Sequence, residues 1–212
     1  MSRPAAGGGR WVSVPPERLE RWLTGFAARH GEVTVAEPTQ GPAGRQVARC
    51  TAADGALAEV EVPFPPLHGG LLAHVLVERR VGVLLVRLGG HACGVFEGDR
   101  LVASKVGSRQ VHGRSAAGGW SQQRFARRRE GQSAVALRAA ADVAVRLLLP
   151  ARLDALVTGG ERTAVDAVLA DRRLAPLRPL VTGRLLDVPD PRLRVLAAVP
   201  FRDVHLRVVD PS

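Results

Sequence analysis

Glutamine does chemistry only by position. Its amide is neither acid nor base, yet it can hold a water against an electrophile while a backbone N–H meets the developing oxyanion. A candidate pair, Gln122 and Gln123, directly follows Ala116-Ala117-Gly118-Gly119-Trp120-Ser121, whose first four residues have almost no side chain. Glycines at Gly118 and Gly119 would let the backbone approach a substrate closely. The surrounding stretch, Ser104 to Arg129, carries seven basic residues and no Asp or Glu: Lys105, Arg109, Arg114, Arg124, Arg127, Arg128 and Arg129. A glycine loop running into glutamine inside a positive field suits a phosphate-lined space. Arginines along the loop and the adjoining helix would contact phosphates and make affinity salt dependent. The competing readings are a solvated helix face for Arg127–Arg129 and a plain hinge for Gly118-Gly119. No series of aromatic side chains accompanies the loop, so recognition of a structured RNA through its backbone is expected rather than single-strand base reading.

Other chemistries fit worse. Gly113-Arg114-Ser115-Ala116-Ala117 lacks the closing glycine and the preceding strand of a nucleophile elbow. No glycine cluster is followed by Gly-Lys-Ser/Thr, so a nucleotide-phosphate loop is not indicated. A two-metal nuclease needs clustered carboxylates, and the strand candidate VGVLLVRL has none. Gly131-Gln132 lies within a helical pattern and lacks a second glycine. The two cysteines, Cys50 and Cys93, and the six histidines are scattered. Neither a metal, a cofactor nor a disulfide is expected.

The whole chain shares the positive balance. Its 212 residues carry a formal net charge of +10 and a pI of about 11.4, which favours a polyanionic partner. With 46% hydrophobic and 24% charged residues it has the composition of a globular protein. No apolar run reaches membrane-spanning length, and MSRPAAGGGR has no apolar signal-peptide core. A cytoplasmic protein with no membrane partner is expected.

The elements that must position the loop are readable in order. Residues 1–10 suggest a disordered tail. Residues 11–66 read as a small α+β unit: a helix from Ser13 to Gly31, then EVTVAE, RQVARCTA and ALAEVEV, the last two joined by Asp54-Gly55, a hairpin signal. Pro63-Phe64-Pro65-Pro66 marks the boundary to a second unit over 67–212, which opens on LLAHVLVERR (71–80), readable as helix or strand with helix preferred. Strands at 81–88, 91–98 and 100–107, joined by Gly89-Gly90 and Gly98-Asp99, predict an antiparallel meander. After the basic loop a helix runs from Ser121 to about Leu149, with Ala134, Leu137, Ala141, Ala144 and Leu148 as its apolar stripe and Arg124, Arg128, Arg138 and Arg146 off it. LDALVTGG then reads as a buried strand, ERTAVDAVLADRRL as a helix, RLLDV as a short strand and FRDVHLRVV as a last strand. The fold class is α+β, a mixed sheet with packed helices.

These residues carry a family resemblance. His112 to Arg129, HGRSAAGGWSQQRFARRR, resembles the HGRGGQSALRFAR segment in the middle domain of eukaryotic and archaeal class I release factors. VGVLLVRL and GVFEGDRLVASKVG before the loop and LDALVTGG after the helix follow that domain's order, so the likeness covers about residues 80 to 209. Trp120 stands where the glutamine of a plain Gly-Gly-Gln would be. Gly119-Trp120-Ser121-Gln122 instead looks like the Gly-x-x-Gln loop of the Vms-like release factors, in their actinobacterial and chloroflexi branch. The resemblance implies a peptidyl-tRNA hydrolase that frees nascent chains on stalled or split ribosomes, in ribosome quality control. Its partners would be the large ribosomal subunit, ribosomal RNA and peptidyl-tRNA. Gln122 would hold the attacking water, with Gln123 the alternative, Gly118 and Gly119 would let the loop fit the peptidyl-transferase centre, and the basic residues would contact RNA. The alternative is a ribosome- or RNA-binding factor of the same fold that does not catalyse. Residues 1–66 have no counterpart in this likeness.

Overall fold

A computed structural model describes residues 2–41, 45–108, 121–182 and 184–211, the side chains of Ser2 and of 121–130 excepted. The first part of the chain runs through β1 (Ser2–Pro4), β2 (Arg10–Val14), α1 (Leu19–His30), β3 (Val33–Gln40), β4 (Gln46–Ala52), β5 (Leu57–Glu61) and α2 (Leu71–Leu76). There follow β6 (Arg80–Arg87), β7 (Gly90–Glu97), β8 (Arg100–Ser108), α3 (Ser121–Leu148), β9 (Ala155–Gly160), α4 (Arg162–Leu169), a 3-10 stretch over Arg172–Leu180, α5 (Leu193–Ala197) and β10 (Val204–Val209). The α+β class expected from the sequence is the one observed. The chain divides into two compact units, Met1–Val77 with Pro200–Ser212, and Glu78–Val199.

The first unit is a six-stranded sheet in the order β1-β2-β10-β5-β4-β3, every neighbouring pair antiparallel. Its core gathers Leu19 and Phe26 of α1 with Ala48, Cys50, Val60, Val204 and Leu206 of the strands. Asp54-Gly55 makes the expected hairpin: Gly55 has φ 90° and the Asp54 carboxylate accepts from the Ala56 amide at 2.9 Å. Three expectations are corrected here. Ser2–Pro4 is not a disordered tail but pairs with Arg10–Val14, and Arg207 donates to the Gly7 and Gly8 carbonyls between them. The first helix starts at Leu19 rather than Ser13. Proline drives the residue before it into extended backbone, so Pro15 holds Val14 on β2 and Pro16 keeps Pro15 extended, with ψ 143°. The division at residue 66 also moves. Residues 67–77 and the last strand belong to the first unit, because β10 alternates buried and half-buried residues and fits between β2 and β5.

The second unit is a four-stranded mixed sheet, β8-β7-β6-β9, with β6 and β9 parallel and the rest antiparallel. The meander β6-β7-β8 is as expected. VGVLLV on β6 is buried without interruption, as a strand covered on both faces must be. On one face α3 and α4 pack through Ala140, Ala144, Leu148, Val165 and Val168 against Leu84, Cys93, Val95 and Leu156. On the other face Leu196 of α5 lies over Gly94, where a Cβ would meet its Cδ2 at 3.0 Å. RLLDV contributes a single bridge, Gly159 to Leu186, instead of a strand. The helix expected over ERTAVDAVLADRRL ends at Leu169, and Asp171 caps the 3-10 stretch by accepting from the Arg173 amide.

Candidate functional site

The basic loop leaves the sheet from its edge strand and returns as its longest helix. β8 ends at Ser108 and α3 begins at Ser121. Arg109, Arg114, Gly118 and Gly119 fall between them and lie outside the described residues. Gln122, Gln123, Arg124, Arg127, Arg128 and Arg129 are on the first turns of α3 with helical backbone, their side chains outside those described. Lys105 is exposed on β8 opposite Cys93 of β7. The structure therefore puts the candidate glutamines at a helix start, one residue apart and about 100° apart around its axis.

The far half of α3 is anchored in the core of the second unit. Ala140, Ala141, Val143, Ala144 and Leu148 are buried in the second unit's core, where small side chains let the helix sit close to the sheet. Of the expected stripe, Ala141, Ala144 and Leu148 are buried, Leu137 is half-buried and Ala134 is exposed. Arg138 and Arg146 are exposed, as expected from their positions off the stripe. An ion-pair network then ties the helix to the 3-10 stretch. Arg173 Nη2 donates to Asp142 of α3 at 2.8 Å and to Asp171 at 2.7 Å. The Arg173 guanidinium and backbone amide hold the Asp171 carboxyl down at about 2. Asp171 keeps the Arg173 charge in turn, with its pKa pushed above the usual arginine value.

Beside the start of the loop lies a small apolar cavity of about 150 Å³, lined by His91, Gly107, Ser108, Ser133, Leu137 and Ala140 among others. His91 is 7% exposed, and its Nε2 has no hydrogen-bond partner among the described residues. Burial pushes its pKa below the ordinary imidazole value. Sequence reasoning left it among six scattered histidines, since nothing local marks a histidine on a buried strand as lining a cavity.

The described residues contain no group of His, Cys, Asp and Glu that could hold a metal ion. Both cysteines are buried and free, and burial pushes the Cys93 thiol up to about 12 and raises that of Cys50. Among the described residues no helix is long and apolar enough to cross a membrane.

Comparison with known proteins places this loop in a family context. The model of the Actinobacteria/chloroflexi VLRF1 release factor family matches residues 79–209, a span that holds β6 to β10 and the whole basic loop. No curated protein matches the sequence. Among solved structures, the crystal structure of the archaeal translation termination factor aRF1 is similar over 91% of this chain and 65% of its own, at 15% identity and a TM-score of 0.45. A structure described only as an archaeal protein is similar over 88% of this chain and 62% of its own, at 14% identity and a TM-score of 0.37. The chain spans less than two thirds of the length of either.

Proposed function

The chain belongs to the actinobacterial and chloroflexi VLRF1 release-factor family, and from that membership we propose that it hydrolyses peptidyl-tRNA on the large subunit of stalled or split ribosomes. The observation that carries this reading is Gly119-Trp120-Ser121-Gln122 at the junction of the basic loop and α3, inside the matched span. The loop enters the peptidyl-transferase centre, and Gly118 and Gly119 let its backbone approach the ester. The Gln122 amide orients a water towards the ester carbonyl carbon. The C–O bond to the terminal ribose breaks, the ribose oxygen keeps the electron pair and takes a proton, and the peptide leaves as its acid. A backbone N–H at the loop stabilises the tetrahedral oxyanion, and the neighbouring ribose hydroxyl of the tRNA assists.

The basic residues deliver the loop. Lys105, Arg109, Arg114, Arg124 and Arg127–Arg129 contact ribosomal RNA or tRNA phosphates, in a segment with no carboxylate to neutralise them. The anchoring of α3 supports the same reading. A long helix held by its buried alanines and by Arg173 is a rigid base for a loop that must be positioned within a fraction of an ångström. No metal or cofactor enters the reaction as proposed, since water orientation and hydrogen bonding supply the catalysis.

Peptide release from peptidyl-tRNA on isolated large subunits tests the proposal, with wild type and Gln122→Ala side by side. Release by wild type that collapses in the variant supports it. Binding to the subunit without release would make the chain a ribosome-binding factor of the same fold, and hydrolysis would be withdrawn.

A further inference from the structure

The first unit carries a positive surface of its own, which the release reading does not use. Helix α1 and strand β2 border a groove of about 590 Å³ lined by Ser13, Arg18, Arg21, Trp22, Gly25 and Arg29 among others. Arg21, Gly25 and Arg29 recur at intervals of four along one face of α1, and Arg18, at the N-cap of that helix, stands three residues before Arg21. All three arginines are exposed, and none of their guanidinium groups has an ion-pair or hydrogen-bond partner among the described residues. The nearby carboxylates are already engaged: Asp203 accepts from the hydroxyl of the groove-lining Ser13 at 2.7 Å, and Glu17 pairs with Arg202 at 3.2 Å. Glu20 is exposed but does not line the groove.

The floor of the groove is as telling as its charges. Gly25 leaves a gap in the middle of α1, where a glycine costs about 1 kcal/mol of helix stability relative to alanine. The Arg29 Nη1 lies 3.7 Å from where a Cβ at Gly25 would stand. Trp22 is half-buried and stacks on Phe26 with ring centroids 5.5 Å apart, so its ring is held in a fixed plane at the groove wall. None of the large exposed apolar side chains lines this groove, so it lacks the protruding apolar surface a bilayer would take up.

We propose that this groove is a second RNA-binding site, in which Arg18, Arg21 and Arg29 hold successive phosphates of a single-stranded segment and Trp22 presents its ring to a base. Arginine matches phosphate oxygens with paired N–H donors, and a fixed aromatic ring accepts any base by its face. The site is separate from the loop residues that would perform release, and it stands whether or not the chain hydrolyses an ester.

The test uses the full chain and a mixed-sequence single-stranded RNA of about 12 nucleotides, followed by anisotropy across a salt series. Replacing Arg18, Arg21 and Arg29 together by Ala is expected to weaken binding about tenfold or more and to reduce the log–log salt slope by about 2, since each single-strand phosphate contact contributes about 0.7. Gly25→Glu is the companion variant. It adds a negative charge on the groove floor while replacing a poor helix former by a good one, so binding should fall while thermal stability holds or rises. The same measurements with Arg127–Arg129 replaced by Ala read the loop's share separately, and peptide release read in parallel keeps the two sites distinguishable. Unchanged RNA affinity and slope in both groove variants overturns the proposal. So does a groove variant that loses binding to vesicles containing phosphatidylglycerol but not to RNA, which would make the surface a lipid site.

Discussion

Gly107 of β8 and His91 of β7 face each other across the strand pair, and the missing side chain at 107 is what admits the imidazole. A Cβ there would stand 2.6 Å from His91 Nε2. Gly107→Ala should therefore destabilise the protein by about 1–3 kcal/mol, the range for forcing extra volume into a packed site. Chemical denaturation of Gly107→Ala, His91→Ala and the pair reads the coupling. The double variant should lose less than the sum of the singles, because removing the ring removes the collision. Simple additivity would show that the strand absorbs the extra methyl without it.

The same histidine gives the fold a pH dependence with a definite sign. Burial lowers its folded-state pKa, so the folded protein resists the proton that the unfolded chain accepts. Above about pH 6.5, the ordinary histidine value, both states are neutral at this position and it makes no difference. As pH falls below that value stability should decline, until the lower folded-state pKa is passed. His91→Gln should flatten the decline in denaturation midpoints between about pH 6.5 and 5. Parallel profiles for the two proteins would remove His91 as the cause.

Neither thiol should be reactive in the folded protein. Cys93 sits in the core with its pKa at about 12 and Cys50 is buried in the other unit with its pKa raised, so the thiolate is scarce at neutral pH and a reagent has no path to it. Titration with an aromatic disulfide reagent should find no fast-reacting group in native buffer and both in denaturant. Rapid labelling in native buffer would indicate that one of the two cores opens locally.

Local signals carried much of this fold and none of its closure. Gly89-Gly90, Gly98-Asp99 and Asp54-Gly55 each join strands that pair with their sequence neighbours, so a turn residue and an alternating pattern suffice. The partner of β10 is different. FRDVHLRVV alternates like any half-buried strand, but its pairing with β2 and with β5 joins residues distant in sequence, Val204 with Val14 and Leu206 with Val60, and no local pattern encodes which sheet receives it. Pro15-Pro16 is legible as a helix start, but the N-cap reading of Ser13 competes with the extended backbone that the two prolines impose on Val14 and Pro15. The candidate site was legible as residue types, Gly119 and Gln122 above all, with the cavity at the end of β8 hidden because His91, Gly107 and Ser133 meet only in three dimensions.

Arg127, Arg128 and Arg129 offer a reading of affinity free of catalysis. If they meet ribosomal or tRNA phosphates, replacing all three by Ala should weaken binding to large subunits and lower the salt slope by up to about 3, near one per neutralised phosphate on duplex RNA. Release at saturating protein should fall much less than release at limiting protein, since delivery and not chemistry is impaired. Binding with an unaltered slope would make these arginines a solvated face of α3.

Gln122 and Gln123 are adjacent on the first turn of α3, and that adjacency makes the decisive prediction sharp. Successive positions on a helix differ by about 100°, so only one of the two amides can be directed at a given ester. Gln122 completes the Gly-x-x-Gln spacing from Gly119, and Gln122→Ala should lower the rate of peptide release by about 10²–10³, the usual cost of losing one positioning or oxyanion-stabilising group. Gln123→Ala should leave release within a few-fold of wild type. Gln122→Glu separates positioning from simple polarity: a carboxylate of nearly the same shape cannot donate to water or substrate and meets repulsion from the tRNA phosphates, so it should release no better than the alanine variant. Single-turnover release on isolated large subunits reads all three, with subunit binding measured alongside so that a variant that fails to dock is not scored as one that fails to react. The reverse order, Gln123→Ala inactive and Gln122→Ala active, would move the catalytic amide by one residue and place the spacing Gly-x-x-x-Gln in this chain.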